Sequence, residues 1–289
     1  MKILVTGGAG FVGSKLIEFL SKDRELDIIC LDNYFTGKRK KTNGVKYIEG
    51  STKDIFLYEK QIGAPHIIYH LGEYSRISTS FEDIAKVWDL NSAGTFQVLE
   101  YCREKKCKIV YGGSSSKFGN GGTDENLSPY AWVKSKNVEL IKNYNKWFGL
   151  EYAIAYLYNV YGDGQITKGK YATVVGIFLD QFVNNKPLTV VAPGSQKRYF
   201  THIDDVVRGL DLIGKKGYGD NYCLCDENSL FSVMELAKMF SSNINIIPHQ
   251  YGNRVDLQAP SNKCVEELGW RTSKNISDYI KISKEKQNE

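Results

Sequence analysis

A tyrosine and a lysine four residues apart, Tyr130 and Lys134, carry the clearest chemistry in the sequence. On a helix this spacing places both side chains on one face, one turn apart. A free tyrosine hydroxyl titrates near pH 10, and lowering its pKa by about 3 units requires roughly 4 kcal/mol of preference for the phenolate. One ammonium group at about 4 Å can supply about that much in a partly screened site. The pair therefore predicts a base that takes a proton from an alcohol, although the spacing alone also recurs by chance.

A glycine-rich segment near the N-terminus predicts a dinucleotide site. An apolar run at residues 2–6 is followed by three glycines at intervals of three, and then by an amphipathic pattern over residues 14–20. Glycine permits a tight turn and lets backbone N–H groups approach a pyrophosphate at the helix N-terminus. The residues expected to hold the pyrophosphate are Gly7, Gly10, Phe11, Val12 and Gly13.

A second apolar run, residues 27–31, ends at Asp32, about 20 residues after the glycines. A carboxylate at this place accepts hydrogen bonds from the adenosine ribose and repels a 2′-phosphate, which favours NAD over NADP. The basic run at residues 38–41 weakens that preference.

The composition excludes several other classes of protein. Of the 289 residues, 42% are apolar and 25% are charged, as in an ordinary globular protein. The net charge of +5 is modest, and we expect no nucleic-acid partner because no basic stripe with interleaved aromatic residues is present. No metal site is expected, since His66 and His70 lack further ligands and Cys223 and Cys225 fit a strand better. Without a signal peptide or an apolar run of ~18 residues, we expect no membrane partner and a reducing, cytoplasmic location.

The glycine spacing and the segments that follow it resemble the extended short-chain dehydrogenase/reductase family, which holds nucleotide-sugar epimerases and dehydratases. The similarity runs from Lys2 to about Ile280. It implies a Rossmann domain with a smaller substrate-binding domain, NAD as the cofactor, and a nucleotide sugar, with a UDP-sugar as the first candidate. Relatives are often dimers built on paired helices, which implies a homodimer. The strand–helix alternation independently indicates an α/β fold with a doubly wound parallel sheet.

The resemblance extends the cofactor site beyond the glycine-rich turn. Ser51 stands where the family has an aspartate near the adenine, and residues 70–72 resemble a family strand that ends against the cofactor. Asn91 matches an asparagine that supports the loops beside the cofactor. The further cofactor contacts that the resemblance implies are Asp32, Asn33, Ser51, Thr52, Leu71, Gly72, Asn91, Tyr130 and Lys134.

Three consecutive serines resemble the family segment that carries a catalytic hydroxyl. Counting back from Gly119 places that hydroxyl on Ser114, which implies a hydrogen bond to the reacting sugar oxygen beside Tyr130. Family dehydratases carry Asp and Glu at the next two positions, and family decarboxylases keep a Glu, where this chain has Ser115 and Ser116. Serine cannot transfer protons in that way near neutral pH, which argues against elimination.

Other polar residues are expected to contact the substrate. Arg198 and Arg254 resemble two family arginines that bind the diphosphate. Arginine suits this role because a planar guanidinium can donate hydrogen bonds to two phosphate oxygens at once. Glu73 and Arg76 stand where the family has small residues, and they either pair with each other or contact the sugar. The implied substrate contacts are Glu73, Arg76, Ser115, Asn159, Arg198 and Arg254.

These features predict a domain division and a reaction. We expect a dinucleotide-binding domain of residues 1–159, to which 198–214 return, and a substrate-binding domain of 160–197 and 215–289. They favour NAD-dependent epimerisation of a nucleotide sugar at C4, through a transient 4-keto intermediate. The alternative is an NAD(P)-dependent oxidoreductase of the same family, a 4-keto reductase or a C4 dehydrogenase. A non-enzymatic NAD-binding protein is a third hypothesis, which the combination of Ser114, Tyr130 and Lys134 disfavours.

Overall fold

The structure is a computed structural model that describes residues 1–39, 41–118, 125–252 and 259–288. Arg254, predicted to bind a diphosphate, lies outside the described residues. The strands, in chain order, are β1 (Lys2–Thr6), β2 (Asp27–Asp32), β3 (Lys46–Glu49), β4 (Ile67–His70), β5 (Lys108–Ser114), β6 (Tyr152–Leu157), β7 (Val160–Tyr161), β8 (Leu188–Val191), β9 (Lys197–Tyr199), β10 (Thr201–His202), β11 (Gly219–Leu224), β12 (Leu230–Ser232) and β13 (Ile244–Ile247). The helices are α1 (Phe11–Leu20), α2 (Glu59–Ile62), α3 (Ile84–Val87), α4 (Gly94–Lys105), α5 (Pro129–Phe148), α6 (Val174–Val183), α7 (Ile203–Lys216), α8 (Val233–Phe240), α9 (Lys263–Leu268) and α10 (Ile276–Asn288).

A seven-stranded parallel sheet in the order β11-β6-β5-β4-β1-β2-β3 organises the larger part of the protein. The chain winds outward from β1 in both directions, so the strand order reverses between β1 and β4. In such sheets a crevice opens at the carboxyl ends of the strands on either side of the reversal, and ligands bind there. The predicted α/β class and doubly wound sheet are confirmed.

The main sheet is buried on both faces, which explains why its strands form continuous apolar runs. Successive residues of β1 face opposite sides, so Leu4 packs in one core cluster and Ile3 and Val5 pack in the other. Helices α4 and α5 contribute Val98 and Ile141 to the first cluster. The second cluster receives side chains of α1 and α7, namely Leu16, Ile17, Leu20, Val206, Leu210 and Ile213.

A smaller unit is built from three two-stranded pairs. Strands β7 and β10 pair in parallel, as do β8 and β13, whereas β9 and β12 are antiparallel. Helices α6, α8 and α10 pack on these strands around a separate apolar core, whose buried members are Tyr161, Val175, Phe178, Leu188, Val190, Phe200, Leu236, Ala237, Phe240, Ile276 and Ile280.

The structure differs from the expected domain division after residue 214. Strand β11 (Gly219–Leu224) joins the edge of the main sheet beside β6, and Cys264 and Trp270 pack in the core beneath it. Trp270 Nε1 also donates to the backbone oxygen of Asp205 on α7, at 2.9 Å. These segments therefore belong with the larger unit. This edge strand has Asp220 and Asn221 directly after its first residue, so it lacks the continuous apolar run that marked the central strands.

Three further observations concern the cysteines, the length of the apolar helices and the clustering of metal-ligand side chains. All six cysteines are buried and free. Across the described ranges, no helix is both long and apolar enough to cross a membrane. In the same ranges, no group of three or more His, Cys, Asp or Glu side chains is arranged to hold a metal ion. His70 is buried between two threonine hydroxyls, while His66 lies at the surface.

Candidate active site

Helix α5 positions Tyr130 and Lys134 in its first two turns. The side chain of Ser128 caps the helix by accepting a hydrogen bond from Ala131 N at 3.1 Å, and Pro129 occupies the first turn, where its missing N–H costs nothing. Tyr130 and Lys134 are 7% and 5% exposed, and both line one cleft. The predicted helix, with both side chains on one face, is confirmed.

The ammonium group of Lys134 is held by two acceptors. Its Nζ donates to Gly112 O at the end of β5, at 2.6 Å, and to the carboxylate of Glu73. The side chains of Lys134 and Glu73 are 6% and 2% exposed, so the ion pair is buried. Nζ also lies 4.4 Å from the ring centroid of Tyr111. In the described structure Glu73 thus pairs with Lys134 and forms no ion pair with Arg76.

Glu73 has further partners that the sequence did not identify. Its Oε1 accepts hydrogen bonds from Thr95 Oγ1 at 2.9 Å, Asn137 Nδ2 at 2.9 Å and Tyr111 OH at 3.0 Å. Burial, and next the Glu73 charge, raise the pKa of Tyr111 well above its ordinary value, which keeps this hydroxyl a donor. A buried carboxylate is tolerated only when it is paired and hydrogen-bonded, and this network meets that condition. Glu73 was predicted as a substrate contact, but its carboxylate is used within the protein.

The serine segment ends β5 beside these residues. The Oγ of Ser114 lies 2.8 Å from Ser116 Oγ and accepts a hydrogen bond from Ser116 N at 3.2 Å. Ser114, Ser115 and Ser116 all line the cleft that contains Tyr130 and Lys134. The structure thus brings the three predicted catalytic side chains into one cavity.

The glycine-rich turn forms the opposite end of the cleft. Gly7 has φ +69, a backbone conformation that favours glycine. A Cβ on Gly13 would lie 2.1 Å from Gly7 O, so α1 can lie this close to the turn only because Gly13 has no side chain. Gly10 is the N-cap of α1 and supplies no capping side chain. The first turn of α1 contains Phe11, Val12 and Gly13, which line the cleft. An anion bound there can accept hydrogen bonds from their backbone N–H groups. These residues fit a dinucleotide pyrophosphate.

Asp32 lies at the end of β2 beside this turn. Its Oδ2 accepts from Ala9 N at 2.9 Å and its Oδ1 from Tyr34 N at 2.7 Å, while burial raises its pKa. Asn33 lines the cleft and accepts a hydrogen bond from Phe35 N at 3.0 Å. Asp32 therefore ties the loop after β2 to the glycine-rich turn and presents its carboxylate at the cleft.

Ser51 and Asn91 lie behind the cleft rather than in its lining. The Oγ of Ser51 is buried and has no hydrogen-bond partner among the described residues, although Thr52 beside it lines the cavity. Asn91 lies in a π-helical segment between α3 and α4 and is fully buried. Its amide accepts from Tyr74 N at 2.7 Å and donates to Tyr74 O at 3.0 Å. Asn91 was predicted as a cofactor contact, but its side chain holds the loop after β4.

The other predicted contacts line the cleft in two groups. Leu71 and Gly72 follow β4, where a Cβ on Gly7 would lie 2.7 Å from Gly72. Asn159, which has φ +33, donates to Tyr199 O at 2.7 Å, and Arg198 donates to Lys197 O at 2.7 Å. The cavity, about 560 Å³, extends from the glycine-rich turn past Tyr130 to Arg198. Its size and its position at the strand-order reversal are typical of a ligand site.

Comparisons with known proteins agree with this geometry. A sequence model of the NAD dependent epimerase/dehydratase family matches residues 3–224. A protein of Methanocaldococcus jannaschii, provisionally named UDP-glucose 4-epimerase, is 35% identical over 295 residues and 96% of each chain. UDP-glucuronic acid decarboxylase 6 of Arabidopsis thaliana is 27% identical over 319 residues, covering 99% of this chain and 88% of its own. The crystal structure of UDP-glucose 4-epimerase from Thermotoga maritima with UDP-glucose has a TM-score of 0.90 at 24% identity, covering 99% of this chain and 98% of that chain.

The structural similarity, at that identity, shows a shared fold, and the family follows from the sequence matches. The family model spans well over half of the chain, and the archaeal relative matches nearly its full length at 35% identity. The chain therefore belongs to the NAD-dependent epimerase/dehydratase family of enzymes, with NAD as its cofactor.

Proposed function

We propose that this enzyme epimerises a nucleotide sugar at C4 through a transient 4-keto intermediate, with a UDP-hexose as the substrate. The observation that carries the proposal is the cleft, which brings Tyr130, Lys134 and Ser114 together with a dinucleotide-binding turn. The archaeal relative that is provisionally named UDP-glucose 4-epimerase supports the choice of reaction and of nucleotide.

Each side chain has a distinct role in this reaction. Bound NAD supplies the hydride acceptor and donor for C4 of the sugar. Tyr130 takes the proton of the 4-hydroxyl and later returns it, while the Ser114 hydroxyl holds the same sugar oxygen by a hydrogen bond. The Lys134 ammonium, whose charge is compensated by Glu73, is held by Glu73 and Gly112 O at the cleft, where we expect it to donate to the nicotinamide ribose.

The serine segment favours epimerisation over loss of water or of carbon dioxide. Ser115 and Ser116 are buried at the cleft, 6% and 7% exposed, at the positions where the resembled dehydratases carry acids. Their hydroxyl groups do not titrate near neutral pH and cannot transfer a proton to or from a sugar carbon. A neutral 4-keto hexose is then expected to be reduced again at C4, and inversion requires that the sugar first turns over in the cleft so that its other face accepts the hydride.

The test is to incubate purified enzyme with UDP-glucose, and separately with UDP-N-acetylglucosamine, and to identify products by NMR while recording NADH absorbance. Epimerisation predicts the C4-inverted sugar with no net change in NADH. Stoichiometric formation or consumption of NADH would instead identify the alternative, a C4 dehydrogenase or a 4-keto reductase. Absence of any C4-inverted product from a panel of UDP-sugars would contradict the proposal.

We further propose that the enzyme is a homodimer that works in the cytoplasm. Large apolar side chains on α4 and α5 are exposed, as expected for a helical interface; these are Phe96, Trp132, Trp147 and Phe148, at 44%, 39%, 60% and 54%. The six free thiols fit a reducing compartment. Light scattering after size-exclusion chromatography should give twice the chain mass of 32.7 kDa. A monomer mass would contradict the dimer.

A further inference from the structure

Arg76 carries a positive charge in the cleft wall and, among the described residues, has no carboxylate partner. Its Nε donates to Tyr171 O at 2.6 Å, Nη2 donates to the same oxygen, and Nη1 donates to Ser75 O at 2.8 Å. Both acceptors are neutral backbone carbonyls. A guanidinium has five N–H donors, so two of them are left for a ligand in the cleft.

The position of Arg76 is fixed by the residues around Tyr171. The Tyr171 hydroxyl donates to Asp83 Oδ2 at 2.9 Å, and the same carboxylate accepts from Tyr74 OH at 3.1 Å. The ring of Tyr171 packs edge-on against Phe35, with centroids 5.2 Å apart, and against Tyr74 at 5.9 Å. Arg76 is therefore held in place before any ligand binds, which reduces the entropy lost on binding.

The other charged side chains that the described residues place in the cleft wall are accounted for. Lys134 and Glu73 compensate each other, and Asp32 accepts two backbone N–H groups at the glycine-rich end. Arg198 lies at the far end, where the proposed function uses it for the diphosphate. Of the described residues that line the cleft, Arg76 is then the cation without an assigned anion, and Tyr130 lines the same cavity.

A partly buried cation without an anion is costly, and the cost is offset when a ligand supplies the negative charge. A carboxylate matches the planar fork of a guanidinium and accepts two hydrogen bonds from it. A carboxylate on a hexose ring is borne by C5, which is bonded to C4. A sugar whose 4-hydroxyl faces Tyr130 therefore carries such a group within the same part of the cleft.

We infer that Arg76 binds a carboxylate on the sugar, so that the preferred substrate is a UDP-hexuronic acid rather than a neutral UDP-hexose. This inference rests on the proposed function, because it needs the sugar to lie beside Tyr130. It keeps the reaction at C4, replaces the neutral UDP-hexose of that proposal by the corresponding uronic acid, and assigns Arg76 as the residue that selects it.

The experiment measures binding to the NAD-loaded enzyme by calorimetry, with UDP-glucuronic acid, UDP-glucose and UDP as probes. The parent enzyme should bind UDP-glucuronic acid more tightly than UDP-glucose. Arg76→Gln should lower the affinity for UDP-glucuronic acid by about 30-fold or more, since it leaves the carboxylate of the sugar without its partner. It should leave the affinities for UDP-glucose and UDP unchanged. Arg76→Lys keeps the charge but not the fork, so its loss should be intermediate.

Arg103→Gln, which removes a surface guanidinium paired with Glu100, is the matched control and should alter none of the three affinities. Thermal unfolding and NAD binding of each variant verify that the fold is kept. If Arg76→Gln does not fold, the same comparison of affinities is made with Arg76→Lys. If Arg76→Gln lowers the affinity for UDP as much as the affinity for UDP-glucuronic acid, Arg76 binds the diphosphate and the inference is overturned. Equal affinities of the parent for the two sugars would overturn it as well.

Turnover, followed by NMR, separates this inference from the proposed function. Epimerisation of UDP-glucose without an Arg76-dependent preference for UDP-glucuronic acid would contradict the substrate inference alone. Oxidation of a hexuronic acid at C4 gives a β-keto acid, so the NMR analysis also looks for the pentose formed by loss of carbon dioxide. Selective, Arg76-dependent binding of UDP-glucuronic acid with this product, or with no C4-inverted product from either sugar, would support the subsite and contradict the proposed reaction.

Discussion

Lys134 and Glu73 form a buried ion pair in the wall of the cleft, where their side chains are 6% and 2% exposed. The two side chains come from α5 and from the loop after β4, which are 61 residues apart in sequence. Because Gly112 O also accepts from Lys134 Nζ, at 2.6 Å, three segments of the chain fix the ammonium in one place. Glu73 is therefore a positioning residue, which acts on the reaction through Lys134.

Replacing Glu73 by glutamine should lower stability and change the pH dependence of turnover. The variant keeps the shape but leaves the Lys134 charge buried without its anion, which typically costs about 3–5 kcal/mol. An uncompensated ammonium favours the anionic form of any base beside it, so the acid limb of the kcat/KM profile should move to lower pH. Urea unfolding and the pH–rate profile measure the two effects.

Glu82→Gln is the matched control, because Glu82 is exposed nearby in the sequence. It should change neither the urea midpoint nor the pH profile. A Glu73→Gln enzyme with the stability and profile of the parent would show that the pair has no role in holding Lys134.

Tyr130→Phe should reduce turnover by at least about 100-fold, the range expected when a general acid–base group is lost. The phenyl ring keeps the packing of Tyr130 against Val87 and Val133, so the unfolding temperature and the affinity for NAD should stay near those of the parent. NMR of the sugar products and fluorescence titration with NAD are the measurements.

Tyr144→Phe makes the same change on the same helix, where the hydroxyl donates to Glu100 at 2.6 Å outside the cleft. This control should retain full turnover. A Tyr130→Phe enzyme as active as the control would exclude Tyr130 as the base and would contradict the proposed mechanism.

The central fold could be predicted from the sequence because strands buried on both faces form continuous apolar runs. The run at residues 2–6 corresponds to β1 at Lys2–Thr6, and the run at 27–31 to β2 at Asp27–Asp32. Strand β11 was expected in the substrate-binding domain because its first half, Gly219 to Asn221, is not apolar, as is common for a strand that pairs with only one neighbour. Its place at the sheet edge depends on contacts with β6, which no local pattern encodes.

The partners of charged side chains were harder to predict than their location. Glu73 and Arg76 were expected at the cleft and line it, but the choice between a mutual ion pair and other contacts depends on the path of their loop. That path is fixed by the two hydrogen bonds between Asn91 and the backbone of Tyr74. One sequence signal was available, since Lys134 and Asn137 lie three apart on α5 and both contact Glu73.

Gly13→Ala should weaken NAD binding and destabilise the fold. The added Cβ would lie 2.1 Å from Gly7 O and 2.8 Å from Gly8 Cα, so α1 must move away from the turn. Overpacking of this kind costs about 1–3 kcal/mol, and the displaced N–H groups of α1 no longer converge on a phosphate. Fluorescence titration with NAD and thermal unfolding measure both effects.

Ser14→Ala is the control for this change, because it alters the next residue of α1 and removes only a hydrogen bond to Phe11 O at 3.2 Å. It should bind NAD as the parent does. Normal NAD affinity in Gly13→Ala would show that the turn does not hold the dinucleotide.

The buried imidazole of His70 should make stability fall in mild acid. His70 lies between Thr6 Oγ1, at 2.7 Å from Nδ1, and Thr95 Oγ1, at 2.9 Å from Nε2. Burial lowers its pKa to about 4 from an ordinary value of 6.5. Between these values the unfolded chain binds a proton that the folded chain does not, so the free energy of unfolding decreases as pH falls through this window. The loss amounts to about 3 kcal/mol and levels off below the folded pKa.

Urea unfolding of the parent, His70→Gln and His66→Gln at several pH values from about 7.5 to about 4.5 isolates this contribution from that of the carboxylates. This range begins about one unit above the ordinary pKa of His70 and ends about half a unit above its folded pKa, so it covers most of the window. His66 is exposed and accepts a hydrogen bond from Lys2 N at 3.0 Å, so its replacement should leave the pH dependence unchanged. His70→Gln should be less stable at neutral pH but should lose less stability on acidification than the parent. If the parent and His70→Gln lose the same stability over this range, the imidazole is already able to take up its proton in the folded protein, and the burial argument fails.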